Sequence, residues 1–331
     1  LDFPRGLGAN WSDMVERCGE MNAMLVVLPI FLLIGMGWAL KEKGLLSDQT
    51  LKENNFILYW FAMPATLLEG ILGADITAFQ DAAFFAAVWS PYLVTTLLVW
   101  LTARSGEPTD RFAVLTLSAS RGNHFFAGIP VVRLAMGNSG AEAGTFILTF
   151  SLVVMQFLSI GSGQLAMSGS LSWKSLRETA AQLLKNPPFL ACLAGLLLLL
   201  MGINQSRLPG WMNATLALLA DISTGLALIA LGAGLRLKNV MGMLRSVWKI
   251  VFFKLAVHPL VSWGIFLAFG LPREMLQAGV LLAAMPVAVN TGIFAQATGM
   301  DGEYSAQGIA VTTLVSMLSL PLWIRILGIA V

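Results

Sequence analysis

The sequence predicts an all-α polytopic membrane protein: ten transmembrane helices forming two inverted five-helix repeats, with broken, crossing helices 4 and 9. Three observations predict it. Of the 331 residues, 57% are hydrophobic and only 11% charged, with a mean hydropathy of +0.77, whereas soluble domains carry about a quarter charged residues. Apolar stretches long enough to span a bilayer, roughly 20 residues each, recur along the whole chain. The same local motifs then appear in the same order in both halves.

Taken in order, the spans read 23–40, 56–72, 82–103, 112–136, 144–167, 188–203, 212–235, 250–269, 275–298 and 307–329. Residues 1–20, LDFPRGLGANWSDMVERCGE, are polar and lack the apolar core of a signal peptide; they read as a polar N-terminal tail, a leader or an expression remnant. Repeat 1 occupies 21–167, a cytoplasmic linker containing SGSLSWKSLRET occupies 168–187, and repeat 2 occupies 188–331.

Span 3 reads FFAAVWSP, with Phe84, Phe85 and Pro91; span 8 reads FFKLAVHP, with Phe252, Phe253 and Pro259 at the same spacing. Spans 4 and 9 each follow a short Pro-containing loop and end in a Gly-rich turn, Met136-Gly137-Asn138 and Gly299-Met300-Asp301. Five helices per repeat is an odd number, so the second copy enters the membrane upside down.

Charge supports the inversion. The loops after spans 1, 3, 5 and 7 hold Lys41, Lys43, Lys52, Arg104, Arg111, Lys174, Arg177, Lys185, Arg236, Lys238 and Arg245. The opposite loops offer little beyond Arg207 and Arg273, with Arg133 near a span end. By the positive-inside rule the odd loops face the cytoplasm and both termini face outside.

Composition and motifs also exclude function classes. A formal charge of +2, with no basic run interleaved with aromatics, speaks against a nucleic-acid partner. Cys18 and Cys192 fit neither a disulfide framework nor a zinc site, and His124 and His258 form no metal-binding pattern. No HExxH, GxSxG or P-loop is present, so no metal, cofactor or enzymatic activity is expected. A membrane enzyme would need a nucleophile with a base, and a sensor would need an output domain; neither is arranged here.

The informative stretch is SASRGNHFFAGIPVVRLAMG, residues 118–137, where Arg121, Asn123 and His124 sit among glycines and a proline inside a span. Breaks are expected at Arg121-Gly122-Asn123 and again at Gly128-Ile129-Pro130. Span 9 carries Pro286, Asn290, Thr291 and Gly292 in AAMPVAVNTGIFAQATG. A mid-helix proline removes a backbone hydrogen bond, and freed backbone groups are tolerated at membrane depth only where protein or a watery cavity satisfies them. Interrupted spans in matching positions of inverted repeats point to a transporter's central site, with half-helix N-termini aimed into it.

At 1.5 Å per residue Arg121 lies roughly 14 Å along a helix starting at Phe112, near mid-bilayer. A buried cation there suits an anion, and a carboxylate could take a bidentate contact. The alternative is an internal ion pair with Glu69 or Asp221, acids in spans 2 and 7. Those acids could instead hold a coupling proton or sodium ion. Candidate substrate contacts are therefore Arg121, Gly122, Asn123, Asn290 and Thr291, with Pro130 and Pro286 shaping the site. His124 is as well suited to packing as to binding, and Gln296 to helix–helix bonding. Lys254 and His258 are expected to snorkel toward the cytoplasm.

At these residues the chain resembles the auxin efflux carrier family, which includes the plant carriers and bacterial malate and malonate permeases. The resemblance rests on Gly122-Asn123 with Gly128-Ile129-Pro130 in span 4, and on Ala283-Ala284-Met285-Pro286 with Phe294-Ala295 in span 9. It rests also on Phe61-Ala62-Met63-Pro64 in span 2 and on Asp221 through Leu231-Gly232 in span 7; it runs from about 21 to 331. It implies a fold like that of the sodium/bile-acid symporters, a homodimer, and an elevator-type carrier. Helices 1, 2, 6 and 7 would form a scaffold, the others a moving domain, with substrate at the crossover of spans 4 and 9. Gly122 stands where the plant carriers have proline, Arg121 is outside their pattern, and their long cytoplasmic loop is replaced by about twenty residues. The expected substrate is thus a small organic anion such as malate or malonate, with auxin-like acids or a sodium-coupled anion as alternatives. The expected place is a bacterial inner membrane.

Overall fold

The computed structural model describes residues 23–73, 82–169, 187–235 and 240–329, with 173, 177, 181, 184 and 185 between them. The expected N-terminal tail and most of the expected linker lie outside the described residues. Everything described is helix or connection. In chain order the helices are α1 (Ala23–Glu42), α2 (Asp48–Ile57), α3 (Met63–Gly73), α4 (Ala82–Thr102), α5 (Thr109–Ser118) and α6 (Ile129–Ser168). After the midpoint come α7 (Pro187–Leu200), α8 (Gly210–Ala233), α9 (Val240–Phe252), α10 (His258–Ala268), α11 (Arg273–Ala283), α12 (Asn290–Ala297) and α13 (Gly302–Ile326).

Six helical stretches among the described residues are long and apolar enough to cross a membrane: 48–73, 82–102, 124–168, 210–233, 240–268 and 302–326. Pro187–Leu200 is a shorter apolar helix. The stretches expected as spans 4 and 9 are interrupted, so α5, α11 and α12 are each too short to cross alone.

Three one-turn π-helices run directly into α-helices: Leu58–Ala62 joins α2 to α3, Phe253–Val257 joins α9 to α10, and His124–Gly128 leads into α6. Each ends two residues before a proline, Pro64, Pro130 or Pro259. A proline ring crowds the carbonyl one turn back, and a wider i→i+5 turn opens that space. Accordingly the N–H of Ile129 reaches the carbonyl of His124, and that of His258 the carbonyl of Phe253. The second break expected at Gly128-Ile129-Pro130 is therefore corrected: the chain stays helical there, and only the turn widens.

Within α6, Gly137 has φ 73° and ψ −162°, a conformation reserved in practice for glycine. The chain folds back at this point, because a Cβ built on Gly144 would touch Val132 at 3.4 Å and Ile129 at 3.7 Å. The expected turn at Met136-Gly137-Asn138 is thus a helical hairpin. The second expected turn also forms: Gly299 has φ 75°, and the Asp301 side chain caps α13 through the N–H of Tyr304 at 2.8 Å.

Packing divides the helices into two groups. α8 packs on α1 and α3, and α3 packs on α7. A Cβ on Gly232 would come 1.8 Å from the carbonyl oxygen of Ile34, and one on Gly37 would come 2.0 Å from that of Ile229. The α1–α8 contact therefore brings backbones together through small residues, the device apolar solvent favours. The second group holds α4, α5, α6 and α9–α13, with α6 against α5 and α11, and α13 against α9. Phe84 and Phe85 spend their aromatic surface here, stacking edge-on or tilted against Phe146 and Phe150 of α6 at centroid distances of 5.2–5.7 Å.

Ion pairs close one end of this group and hydrogen bonds the other. Arg111 at the start of α5 bonds Asp301 at 3.0 Å, and Lys249 bonds Glu107 at 2.8 Å. At the other end Ser139 donates to Glu274, and Arg273 donates to the carbonyl of Gly328 at 3.1 Å. The loops after expected spans 3, 7 and 9 thus meet at one end, and those after spans 4 and 8 meet at the other with the end of span 10.

Candidate functional site

α5 stops at Ser118, and α11 stops at Ala283. Between them and the helices that follow, two extended strands of chain cross. Gly122 and Val287 form an antiparallel bridge, in which the Asn123 N–H donates to the Pro286 carbonyl at 2.8 Å and the Ala288 N–H donates to the Arg121 carbonyl at 3.1 Å. The unwound segments of the two halves satisfy each other, which answers how backbone can be left non-helical deep inside the fold.

Two further backbone groups at the crossing find partners from other helices. The bridge pair lies between its two hydrogen bonds, so the Val287 N–H points away from the opposite strand. It donates instead to Thr312 Oγ1 of α13 at 3.1 Å. The Ala283 carbonyl would in a continuous helix be served by Val287, and the nearer Pro286 has no N–H. Lys254 Nζ donates to it at 2.6 Å. A lysine at a helix C-terminus also suits the negative end of the helix dipole.

Arg121, Asn123 and His124 are all at least 95% buried. The Arg121 guanidinium donates from Nη1 to Ser159 Oγ at 3.2 Å, while its Nε has no partner, nor has Asn123 Nδ2. Among the described residues no carboxylate pairs with Arg121. The internal ion pair considered for it is corrected: Glu69 and Asp221 belong to Arg133, at 3.7 and 4.0 Å from its guanidinium nitrogens. Position along the chain decides this, since Arg133 lies twelve residues on, beyond the π-helix and within reach of both acids.

Thr291 is fully buried at the crossing, its hydroxyl unpartnered. Asn290 opens α12 with its side chain exposed, and Gln296 is exposed further along. Pro286 contributes its carbonyl to the bridge, whereas Pro130 lies in the first turn of α6. Gly122 is demanded by closeness: a Cβ there would come 2.4 Å from Nε2 of the buried His124 ring.

Lys254 and His258 do not snorkel. Both are completely buried, His258 Nδ1 lying 2.9 Å from Thr95 Oγ1 and its ring 5.1 Å from that of Tyr92. The reason is the π-helix Phe253–Val257, which directs this stretch of chain inward against α4, α11 and α13. Sequence reasoning missed Lys254 as part of the crossing, although an intramembrane lysine is itself the signal. Ser159 and Thr312 carry no such signal.

The crossing therefore presents a buried guanidinium and a buried carboxamide with donors to spare, and what that serves is narrowed by the chain's relatives. The sequence model of the membrane transport protein family matches residues 22–172 and 168–324. An uncharacterised transporter of Methanothermobacter thermautotrophicus is 24% identical over 305 residues, 92% of this chain and 98% of the relative. A putative malonate transporter of Rhizobium meliloti is 23% identical over 298 residues, 88% of this chain and 92% of the relative. The auxin efflux carrier component 5 of Arabidopsis thaliana is 19% identical over 336 residues, 91% of this chain and 95% of the relative. The resemblance read from the motifs holds over almost the whole length, and the chain is an integral membrane transporter belonging to the membrane transport protein family.

Proposed function

We propose that this transporter is a secondary carrier of small organic anions, mono- or dicarboxylates of the malonate or malate class, held at the crossing of the two unwound segments. One observation carries the reading: Arg121 is buried there without a carboxylate partner among the described residues, and its Nε and the Asn123 amide are donors without acceptors. A substrate carboxylate supplies both the charge and the acceptors, and charge-assisted bonds of this kind are the strong ones. The half-helices that begin at His124 and Asn290 add their positive ends.

Alternating access follows by an elevator motion over ten spans in two inverted repeats, counting the broken stretches as spans 4 and 9. The close mutual packing of α1, α3, α7 and α8 supports a scaffold, and the crossing lies in the other group. The ends closed by Arg111–Asp301 and by Arg273–Gly328 then face opposite sides, cytoplasm and exterior respectively. A homodimer in a bacterial inner membrane, both termini outside, completes the reading, and no catalytic step is part of it.

Counterflow in liposomes tests it, with malate, malonate, succinate, lactate and indole-3-acetate as the panel. Wild type is expected to exchange at least one dicarboxylate, and Arg121→Gln to lose that exchange. Equal exchange by the variant would remove Arg121 from recognition. No exchange of any panel member by wild type would sink the anion reading itself.

A further inference from the structure

A polar cavity lies away from the crossing, between α3 and the hairpin of α6. Its volume is about 110 Å³, and Thr66, Glu69, Arg133, Asn138, Glu142 and Thr145 line it. The helices approach closely here because α3 presents glycines. A Cβ on Gly70 would come 2.6 Å from Thr145 Oγ1, and one on Gly73 would come 2.7 Å from Glu142 Oε1.

The charges in this cavity do not balance. Glu69 and Glu142 bring two carboxylates against the single guanidinium of Arg133. That guanidinium is shared further, with Asp221 of α8 at 4.0 Å, and its Nε is committed to Asn138 Oδ1 at 3.1 Å. Glu69 is held only at 3.7 Å. The other ionisable groups around the cavity do not correct the deficit: Glu274 and Arg273 open α11, Glu274 being hydrogen-bonded by Ser139, α7 offers only the buried Cys192, and Arg207 of the Gln205–Arg207 turn lies against Gly202 rather than lining the cavity.

A second observation is independent of charge. Thr145 is 1% exposed, and its hydroxyl has no hydrogen-bond partner, although it lines the cavity. Thr66 donates its own hydrogen to the Ala62 carbonyl at 2.9 Å, which leaves its oxygen lone pairs unused. Two carboxylates and two hydroxyls thus line one cavity where one positive charge is lacking. Hard monovalent cations take oxygen ligands of this kind, and a proton shared by two carboxylates meets the same deficit.

We propose that this cavity binds one positive charge, a proton or an alkali cation, between α3 and α6. The site is distinct from the crossing and does not depend on which substrate the crossing takes. Because its oxygens come from both helix groups, occupancy acts on the contact between them.

The test reads binding rather than transport, so the fate of the anion reading does not enter. Purified wild type, Glu142→Gln and Thr145→Val are melted at constant ionic strength, with sodium or choline as the cation, at pH 5.5 and pH 8.0. For a sodium site, wild type melts roughly 2–4 °C higher in sodium than in choline, and both variants lose that shift. For a proton site, the sodium shift is absent. At pH 5.5 wild type and Glu142→Gln then melt alike. At pH 8.0, where the wild-type carboxylates repel each other, the variant melts higher. Glu69→Gln repeats the measurement should Glu142→Gln fail to fold. The proposal is overturned by a sodium shift that survives the carboxylate substitutions. It is equally overturned by a wild type indifferent to sodium whose gap to the variant does not change with pH.

Discussion

Thr312→Val isolates a side chain that completes the backbone pairing at the crossing. The substitution keeps shape and nearly keeps volume. It removes the oxygen that accepts the Val287 N–H at 3.1 Å, and both residues are at most 1% exposed. The hydroxyl also donates to the Gly308 carbonyl at 2.7 Å, but that carbonyl keeps its own helical partner, so its loss costs little. Stranding a buried N–H costs about 1–3 kcal/mol. At about 2.1 cal/mol/K of unfolding entropy per residue, a chain of 331 residues loses about 1.4 °C per kcal/mol, so the melting temperature of the purified protein falls by about 1.5–4 °C. Thr312→Ser keeps the acceptor and stays near wild type. Thr313→Val, one residue on, removes a hydroxyl that only donates to the Ile309 carbonyl of its own helix; it strands no backbone group and so lowers stability by less than Thr312→Val does. Thermal unfolding of the three variants side by side gives the answer. Should Thr312→Val melt with wild type, or should Thr313→Val fall as far, the accounting of the crossing's hydrogen bonds is wrong.

Three other perturbations address different parts of the structure. Gly122→Ala places a methyl group 2.4 Å from His124 Nε2, so counterflow is expected to be lost while His124→Ala restores room and part of the exchange. Lys254→Gln keeps a donor for the Ala283 carbonyl and retains more exchange activity than Lys254→Met, which leaves that carbonyl bare; equal activities would show that Lys254 does not support the break. Gly137→Ala forces a side chain into a glycine-only conformation and destabilises by about 1–3 kcal/mol, read as a lower melting temperature than that of Gly144→Ala, whose Cβ makes only ordinary contacts.

What could be read from the sequence were the features that need only composition and local chemistry. Apolar length located the helical stretches, because a bilayer's thickness dictates it. Glycine and proline located the interruptions and turns at 121–123, 136–138, 286 and 299–301, because those residues act on their own backbone. Arg121 and Asn123 stood out because polar groups in an apolar span are expensive wherever the chain goes.

The tertiary structure alone decided who meets whom. Pairing Arg121 with Glu69 or Asp221 was a sound guess from charge, but the acids face Arg133, and no local pattern records which of two arginines twelve residues apart lies beside a distant helix. Lys254 and His258 looked like residues near a span end; the π-helix turned them inward, onto a carbonyl and a threonine hydroxyl supplied by other helices. Pro130 looked like a second break and became a widened turn, because the upstream turn could relax. The antiparallel bridge between Gly122 and Val287 joins residues 165 positions apart, and hydrogen bonds across such a distance exist only once the two halves of the chain have packed.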